Sequence, residues 1–188
     1  MTKLERMPER RLGALVALTV ASTLGACGSE LDTPVANQEL LSMEADYVAY
    51  GMLTYVTANG VREARIEADT AFVYEDSSTA ILKQMTLVFY DENGNERATV
   101  TGLEGDWNQE TNRMVARGEV VLFVHTDSSR IESPEIFYEP DIDKVWSDST
   151  TVRTLRDGTV QSGTAFESDM SFENVSIANL RGGARRIF

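Results

Sequence analysis

Residues 107–114 read WNQETNRM, an acidic and Asn-rich turn that lies between two β-favouring apolar residues. The same arrangement occurs at residues 74–80 (YEDSSTA), 138–145 (YEPDIDKV) and 168–175 (SDMSFENV). After each turn the chain resumes with an apolar residue, and these residues recur every 30 to 34 positions, at Ala80, Met114, Val145 and Val175. A period of this length is typical of a repeated supersecondary unit. The sequence therefore predicts a stack of two-stranded hairpins.

The segments between these turns have the composition of β-strands. They alternate polar and apolar residues or contain runs of β-branched and aromatic residues, with turns about every ten residues. Asn59-Gly60 and Asn93-Gly94 are strong hairpin signals. The predicted strands are 47–56, 61–67, 71–74, 80–90, 97–103, 113–125, 136–138, 144–153, 159–166 and 172–178. We therefore expect an all-β sandwich or roll without a long helix.

The first 26 residues have the pattern of a signal peptide. Four basic residues precede an apolar stretch, residues 12–24, that is too short to span a bilayer. The stretch ends in Leu24-Gly25-Ala26-Cys27, which resembles the bacterial lipobox, and Cys27 is the only cysteine. We predict a signal peptide over 1–26, lipidation of Cys27 and a polar tether over 27–44. The alternative is a short uncleaved anchor in which Cys27 is incidental.

The charge of the chain excludes one class of partner. The predicted leader holds four basic and two acidic residues, so its removal would change the net charge from −13 to −15. A surface this negative repels phosphate, so we expect no nucleic acid as a partner. The basic C-terminal segment, residues 181–186, is interpreted as a frayed, solvated end, with a docking element as the alternative.

Several strands have an apolar face that could form a core or a lipid groove. Side chains two positions apart share a face, which groups Val120 with Leu122 and Val124, and Met85 with Leu87 and Phe89; Ile136 and Tyr138 form a third set. An ordinary core is the simpler interpretation of each residue. A roll of short hairpins encloses a long narrow space, however, and an acyl chain of about a dozen carbons buried there would gain about 10 kcal/mol. Period alone does not assign the inward face, because a one-residue slip inverts it.

Residue types that catalyse hydrolysis are scarce. The chain has one histidine, His125, and no Gly-x-Ser-x-Gly motif, so a nucleophile would lack a base. Asp141 and Asp143 lie in a turn and are interpreted as solvated turn residues. Residues 91–96 (DENGNE) lack the glycine and the distant glutamate of a calcium loop and are interpreted as a hairpin. We expect no enzyme, no metal and no cofactor, and His125 is interpreted as a surface residue at a strand end.

Residues 112–122, 131–138, 144–152 and 160–169 resemble the run that recurs in OstA-like proteins of lipopolysaccharide export. Residues 59–69 and 87–94 narrow the similarity to the LptC family, the periplasmic component attached to the inner-membrane transporter. The resemblance covers about residues 45 to 180 and depends on the order and spacing of these segments.

The resemblance implies a twisted β-jellyroll over 45–182, followed by a tail over 183–188. Such a jellyroll would bind the lipid A acyl chains of lipopolysaccharide in a hydrophobic groove. It would receive them from subunits of an inner-membrane ABC transporter and hand them to an LptA-like bridge protein, with jellyrolls joined edge to edge. Gly118 matches the family glycine ahead of the central strand, and Val120 and Leu122 match groove positions.

The predicted anchor departs from the resemblance. Family members carry an uncleaved N-terminal membrane helix, whereas this chain has the pattern of a lipoprotein at Cys27. Gly28 follows the cysteine, where enteric inner-membrane lipoproteins have Asp, so the outer membrane stays open. We expect a periplasmic protein held on a membrane, with the inner membrane favoured. The alternative function is a membrane-anchored adaptor lipoprotein that binds only protein partners.

Overall fold

The computed structural model describes residues 45–58 and 60–185 of the 188-residue chain, with side chains described as far as residue 182. These residues belong to one compact unit that spans residues 44–188. The predicted signal peptide, Cys27 and the tether lie outside the described residues.

The described residues form twelve strands and a 3-10 turn at Pro140–Ile142. In chain order the strands are β1 (Tyr47–Ala58), β2 (Val61–Tyr74), β3 (Thr79–Tyr90), β4 (Glu96–Asn108), β5 (Met114–Val124), β6 (Ser129–Glu139), β7 (Lys144–Ser147), β8 (Thr151–Thr154), β9 (Thr159–Gly163), β10 (Ala165–Ser168), β11 (Ser176–Ala178) and β12 (Arg181–Arg185). The all-β prediction is confirmed.

The strands form one open antiparallel meander. From β1 to β6 each strand pairs with the next along the chain. One half of β6 then pairs with β7 and the other half with β8, so β7 and β8 are two parts of one interrupted strand. The same scheme continues, because β10 pairs with β7 and β9 with β8, and then β11 pairs with β10 and β12 with β9. Within the described chain, β1 is one edge of the sheet, and β11 and β12 form the other edge.

A line of irregularities crosses the sheet near the middle of its strands. In β3 the buried residues are the even-numbered Ala80 and Leu82 before the crossing, and after it the odd-numbered Met85, Leu87 and Phe89 together with Val88. Gln84 between the two groups has a φ of 51°. The pairing of neighbouring strands is interrupted at the same level: one residue pair is missing between β1 and β2, β2 and β3, and β3 and β4, and the register shifts between β4 and β5 and between β5 and β6. This line, which we call the crease, runs through Gly51, Asp69, Gln84, Leu103, Gly118, Glu119 and Pro134. A strand that leaves regular geometry at one residue bends there and can exchange its faces, as β2, β3, β4 and β6 do. The buried apolar residues on both sides of the crease belong to one shared core.

The position of Pro134 explains how β6 can extend across a proline and be longer than the sequence predicted. A proline argues against a strand, and the predicted strand began after it, at 136, whereas β6 begins at Ser129. Pro134 lies on the crease, where the register with β5 skips it. On the other side, β8 pairs with residues before it and β7 with residues after it. The missing N–H therefore costs the sheet no ladder hydrogen bond.

Other predicted bounds also change. The predicted strands 61–67 and 71–74 are one strand, β2, and the predicted strands 144–153 and 159–166 are each interrupted. The predicted strand 172–178 begins only at Ser176. Residues 181–185 pair with β9 as strand β12, so the expectation of a frayed end is wrong for them, and β12 crosses the boundary predicted after residue 182.

Gly118 has a physical reason to be glycine. Its φ is +74°, and a Cβ there would lie 3.1 Å from the Cβ of Leu103. An L side chain is therefore disfavoured both by the left-handed backbone and by crowding on the crease. The resemblance singled out this position, and the structure shows what a side chain would meet there.

Gly118→Ala should destabilise the domain by about 2 kcal/mol, from backbone strain and from the crowding of Leu103. Gly94→Ala is the matched control, because Gly94 also has a positive φ of +84° but a Cβ there would meet nothing within 4 Å. The control should cost only about 1 kcal/mol. The free energy of unfolding from urea titration measures both values, and equal costs would contradict the role of Leu103.

Candidate functional site

The eight groove candidates are buried together in the interior. Met85, Leu87, Phe89, Val120, Leu122, Val124, Ile136 and Tyr138 are each at most 2% exposed and belong to one hydrophobic cluster. The predicted sharing of faces is therefore observed in β3, β5 and β6. These side chains pack against the rest of the core. A ligand can therefore reach them only if the two walls of the core, the parts of the sheet on either side of the crease, separate. Their contact with a lipid stays a prediction.

Three aromatic rings close one end of the interior, which we call the mouth. The ring of Phe89 lies 5.1 Å from that of Tyr138 and 5.2 Å from that of Phe172. A cleft of about 610 Å³ lies beside these rings, with apolar lining from Phe89 and Met170 and charged lining that includes Arg62. The mouth therefore combines an apolar floor with a charged rim.

Phe172 belongs to residues 169–175, which we call the plug loop, between β10 and β11. Its side chain is 2% exposed although the loop is at the surface of the fold. Its φ of 60° is rare for a bulky residue and costs about 1–2 kcal/mol. Such strain persists only where the surroundings enforce it and is frequent at ligand clamps and switches. Phe172 therefore acts as a plug that the packing of its ring holds in the mouth.

Asp169 organises the plug loop. Its carboxylate accepts hydrogen bonds from Ser171 Oγ at 2.6 Å and Asn174 Nδ2 at 2.5 Å, and its carbonyl oxygen accepts one from the Phe172 N–H at 3.1 Å. Partial burial raises the pKa of Asp169, but hydrogen bonds from Ser171 and Asn174 and from the backbone outweigh it, so the net pKa lies below 3.8. The loop is thus held by an ionised carboxylate.

Arginine supplies positive charge at the rim of the mouth. The guanidinium of Arg62 lies 4.2 Å from the ring centroid of Tyr55 and 5.6 Å from that of Tyr90. Cation–π contacts with two rings fix its position. Arg97 also lines the cleft, together with acidic neighbours that include Glu63. Asp91 and Glu92 line it as well, so the rim carries charges of both signs, with two guanidinium groups available to an anionic group.

Sequence reasoning missed Phe172 and Met170 at the mouth. It placed Phe172 at the start of a strand because aromatic residues favour strands, whereas the structure places it in the plug loop. The available signal was the turn 168–175 (SDMSFENV), in which two apolar residues stand among polar ones. An exposed turn seldom needs them, so they indicated an inward contact.

The polar residues weighed for chemistry make structural contacts instead. His125 Nε2 lies 2.9 Å from Thr99 Oγ1, Asp141 pairs with Arg113 at 3.3 Å, and Asp143 Oδ1 accepts the Met170 N–H at 3.1 Å. In the DENGNE turn, Asp91 Oδ1 accepts backbone N–H groups at 2.8 Å, as expected of a hairpin. Within residues 45–58 and 60–185, the side chains form no cluster suited to a metal ion.

The β1 edge carries exposed aromatic and apolar side chains. Tyr50 is 67% exposed, and Tyr47, Leu53 and Tyr55 are also exposed. Among the described strands, β1 hydrogen-bonds only to β2. A free edge with apolar side chains is a ready surface for strand addition.

Within the same described ranges, no helix has the length and hydropathy needed to cross a bilayer.

The family model described as "Lipopolysaccharide-assembly, LptC-related" matches residues 14–180. The chain belongs to the LptC family. The resemblance inferred from the sequence is therefore confirmed, and this LptC-family chain is a periplasmic component of lipopolysaccharide transport. LptC-family proteins are transport components.

Two further comparisons add context. No curated protein matches this LptC-family chain. Among solved structures, it is similar to LptH, described as the LptA homologous periplasmic component of the conserved lipopolysaccharide transport device from Pseudomonas aeruginosa. The identity is 15%, the TM-score is 0.49, and the match covers 61% of this chain and 80% of that one.

The plug loop should loosen in acid. Because the pKa of Asp169 is lower in the folded protein than 3.8, its stabilisation is present above that value and is lost as the pH falls through the folded-state pKa. The ¹⁹F NMR signal of Phe172 labelled with 4-fluorophenylalanine should shift towards that of an exposed ring over this range. In Asp169→Asn, which lacks the titrating group, the shift should be present at neutral pH and independent of acid. An unchanged signal in the variant would contradict the role of Asp169.

Proposed function

We propose that the domain binds the lipid A acyl chains of lipopolysaccharide in its interior. It receives them from subunits of an inner-membrane ABC transporter and passes them to an LptA-like bridge protein, and it catalyses no reaction itself. The observation that carries the proposal is the continuity between the buried cluster and the mouth through Phe89, which belongs to the core and also lines the cleft.

The energetics favour entry of a chain in place of the plug. An acyl chain of about a dozen carbons gains about 10 kcal/mol on burial. Withdrawal of the Phe172 ring gives up only about 2–3 kcal/mol of burial and relieves the strain of its backbone. Separation of the core walls exchanges side-chain contacts for contacts with the acyl chains. The closed interior is therefore compatible with a lipid cargo.

The charged rim suits the polar head of this cargo. Lipid A carries its anionic groups on a sugar next to the acyl chains. With the chains inside, these groups would lie at the mouth, where Arg62 and Arg97 are the positive residues of the cleft. The rigid placement of Arg62 between two tyrosine rings lowers the entropy cost of such a contact.

The two sheet edges would provide the protein contacts. We assign β1 to the periplasmic domains of the transporter and the edge formed by β11 and β12 to the LptA-like bridge. Support comes from the open edges of the meander and from the exposed side chains of β1. Docking by strand addition would join neighbouring interiors into one continuous path.

A protein-binding adaptor is the second candidate function. It is favoured by the tight packing of the interior, where the eight groove candidates are at most 2% exposed, and it needs only the edges of the sheet.

For either function we propose that Cys27 is the lipid anchor and that residues 27–44 are the tether. The inner membrane is favoured because the domain would work beside the transporter, and the outer membrane is the alternative.

Photocrosslinking separates the two functions. Benzophenylalanine at Met170 or Phe172 should form adducts with lipopolysaccharide in living cells, because both positions lie at the mouth. The control position is Phe123, which is 37% exposed on the opposite face of β5 from the buried Leu122. It should form no lipid adduct. Adducts only with proteins at Met170 and Phe172 would contradict lipid binding and favour the adaptor.

Cys27→Ser should abolish lipidation and release the folded domain from the membrane fraction. Labelling with radioactive palmitate and fractionation of cells measure the two effects. Ser29→Ala is the control and should change neither. If the Cys27→Ser protein keeps its leader and stays on the membrane, the anchor is an apolar segment instead.

A further inference from the structure

Three buried hydrogen-bond donors lie in one cross-strand row. Neighbouring residues in the registers of β4, β5, β6, β7 and β10 form this row, which consists of Trp107, Met114, Tyr138, Val145 and Ser168. Among the described residues, the Trp107 Nε1, the Tyr138 hydroxyl and the Ser168 hydroxyl are buried without a hydrogen-bond partner. We call these three groups the donor row. They occur on alternate strands, with Met114 and Val145 between them.

Two other buried atoms in the described residues lack a partner, Arg65 Nε and Arg153 Nε, but both belong to guanidinium groups that form ion pairs with Glu67 and Asp127. Other buried hydroxyls are paired: Ser133 Oγ and Ser147 Oγ lie 2.9 Å apart, and Thr151 Oγ1 donates to the Ser149 carbonyl at 3.0 Å. Arg153 Nη2 lies 3.3 Å from Ser129 Oγ. A buried polar group without a partner destabilises a fold, so three of them at one level indicate a ligand more strongly than one does.

Two members of the donor row, Tyr138 and Ser168, adjoin the mouth. The ring of Tyr138 packs on Phe89, and Ser168 immediately precedes the plug loop. Tyr138 is 2% and Ser168 4% exposed, so both hydroxyls point to the interior. Burial raises the pKa of the Tyr138 phenol, which keeps its proton available for donation. Alternate strands are about 10 Å apart, so the row spreads its donors over a width that several acyl chains could occupy.

We propose that Trp107, Tyr138 and Ser168 hold the carbonyl oxygens with which acyl chains begin, so that the mouth recognises a lipid with several ester- or amide-linked chains. The inference rests on the proposed binding of lipid in the interior and specifies its substrate class. With the chains inside, their linkages lie at the level of the mouth, where a carbonyl oxygen accepts a hydrogen bond and each unpaired donor gains a partner. Plain hydrocarbon cannot satisfy this row.

A matched lipid pair tests the donor row. Dihexanoyl phosphatidylcholine and its di-O-hexyl ether analogue differ only in their two carbonyl groups, and both are soluble below their micelle concentrations. Calorimetric titration of the wild-type domain should show about tenfold tighter binding of the ester, as expected for one or two hydrogen bonds. Tyr138→Phe and Ser168→Ala should each reduce this preference about threefold, and the double variant should remove it. Tyr50→Phe, which deletes an exposed hydroxyl, should keep it.

Stability of the lipid-free variants gives a second measurement. Tyr138→Phe removes an unpaired buried hydroxyl with little change of shape, so its melting temperature should equal or exceed that of the wild type by up to about 4 °C. A clear fall would show that the hydroxyl has a structural partner and would overturn the inference. Equal wild-type binding of ester and ether, or a preference kept by the double variant, would overturn the donor row alone. If neither lipid binds the wild type, the lipid-binding function fails as well.

Discussion

The crease is the constraint on which the rest of the structure depends. A meander of regular strands would have one apolar and one polar face and could cover only a separate layer. Here β2, β3, β4 and β6 change the side on which their buried residues lie, at one shared level, and the sheet supplies both walls of its own core. Gln84 makes that change in β3 with a positive φ angle, and Gly118 and Glu119 of β5 also have positive φ angles at this level. Core, mouth and edges all follow from it.

Part of this architecture could be predicted from the sequence. The repeat of turns and the strand composition predicted the hairpins, and the period of two correctly grouped Val120 with Leu122 and Met85 with Leu87. These groups lie within one half of a strand, where the alternation is regular. The crease was not predictable, because Gln84 is an ordinary strand residue whose unusual backbone depends on the neighbouring strands. The full length of β6 was not predictable either, since a strand tolerates Pro134 only where the pairing on both sides has a gap.

The mouth was the least predictable part. Phe172 reads as a strand residue by propensity, and its insertion depends on a loop whose conformation Asp169 and Asn174 define together. Trp107, Tyr138 and Ser168 are separated along the chain. They fall in one row only because of the registers of four strand pairs. These local features would give the closed core a defined entrance under the proposed function. Tight packing in the empty state protects apolar surface that would otherwise promote aggregation.

The open meander has a mechanical consequence. In the described chain, backbone hydrogen bonds join each long strand only to its neighbours in the sequence, and the two walls on either side of the core touch through side chains. Those walls can therefore move apart like the covers of a book without breaking a ladder hydrogen bond. Work is done only against apolar contacts, which a hydrocarbon guest replaces in kind. A closed barrel of equal size would have to rupture its backbone network to admit the same guest, whereas the proposed entry and exit of lipid would leave this sheet intact.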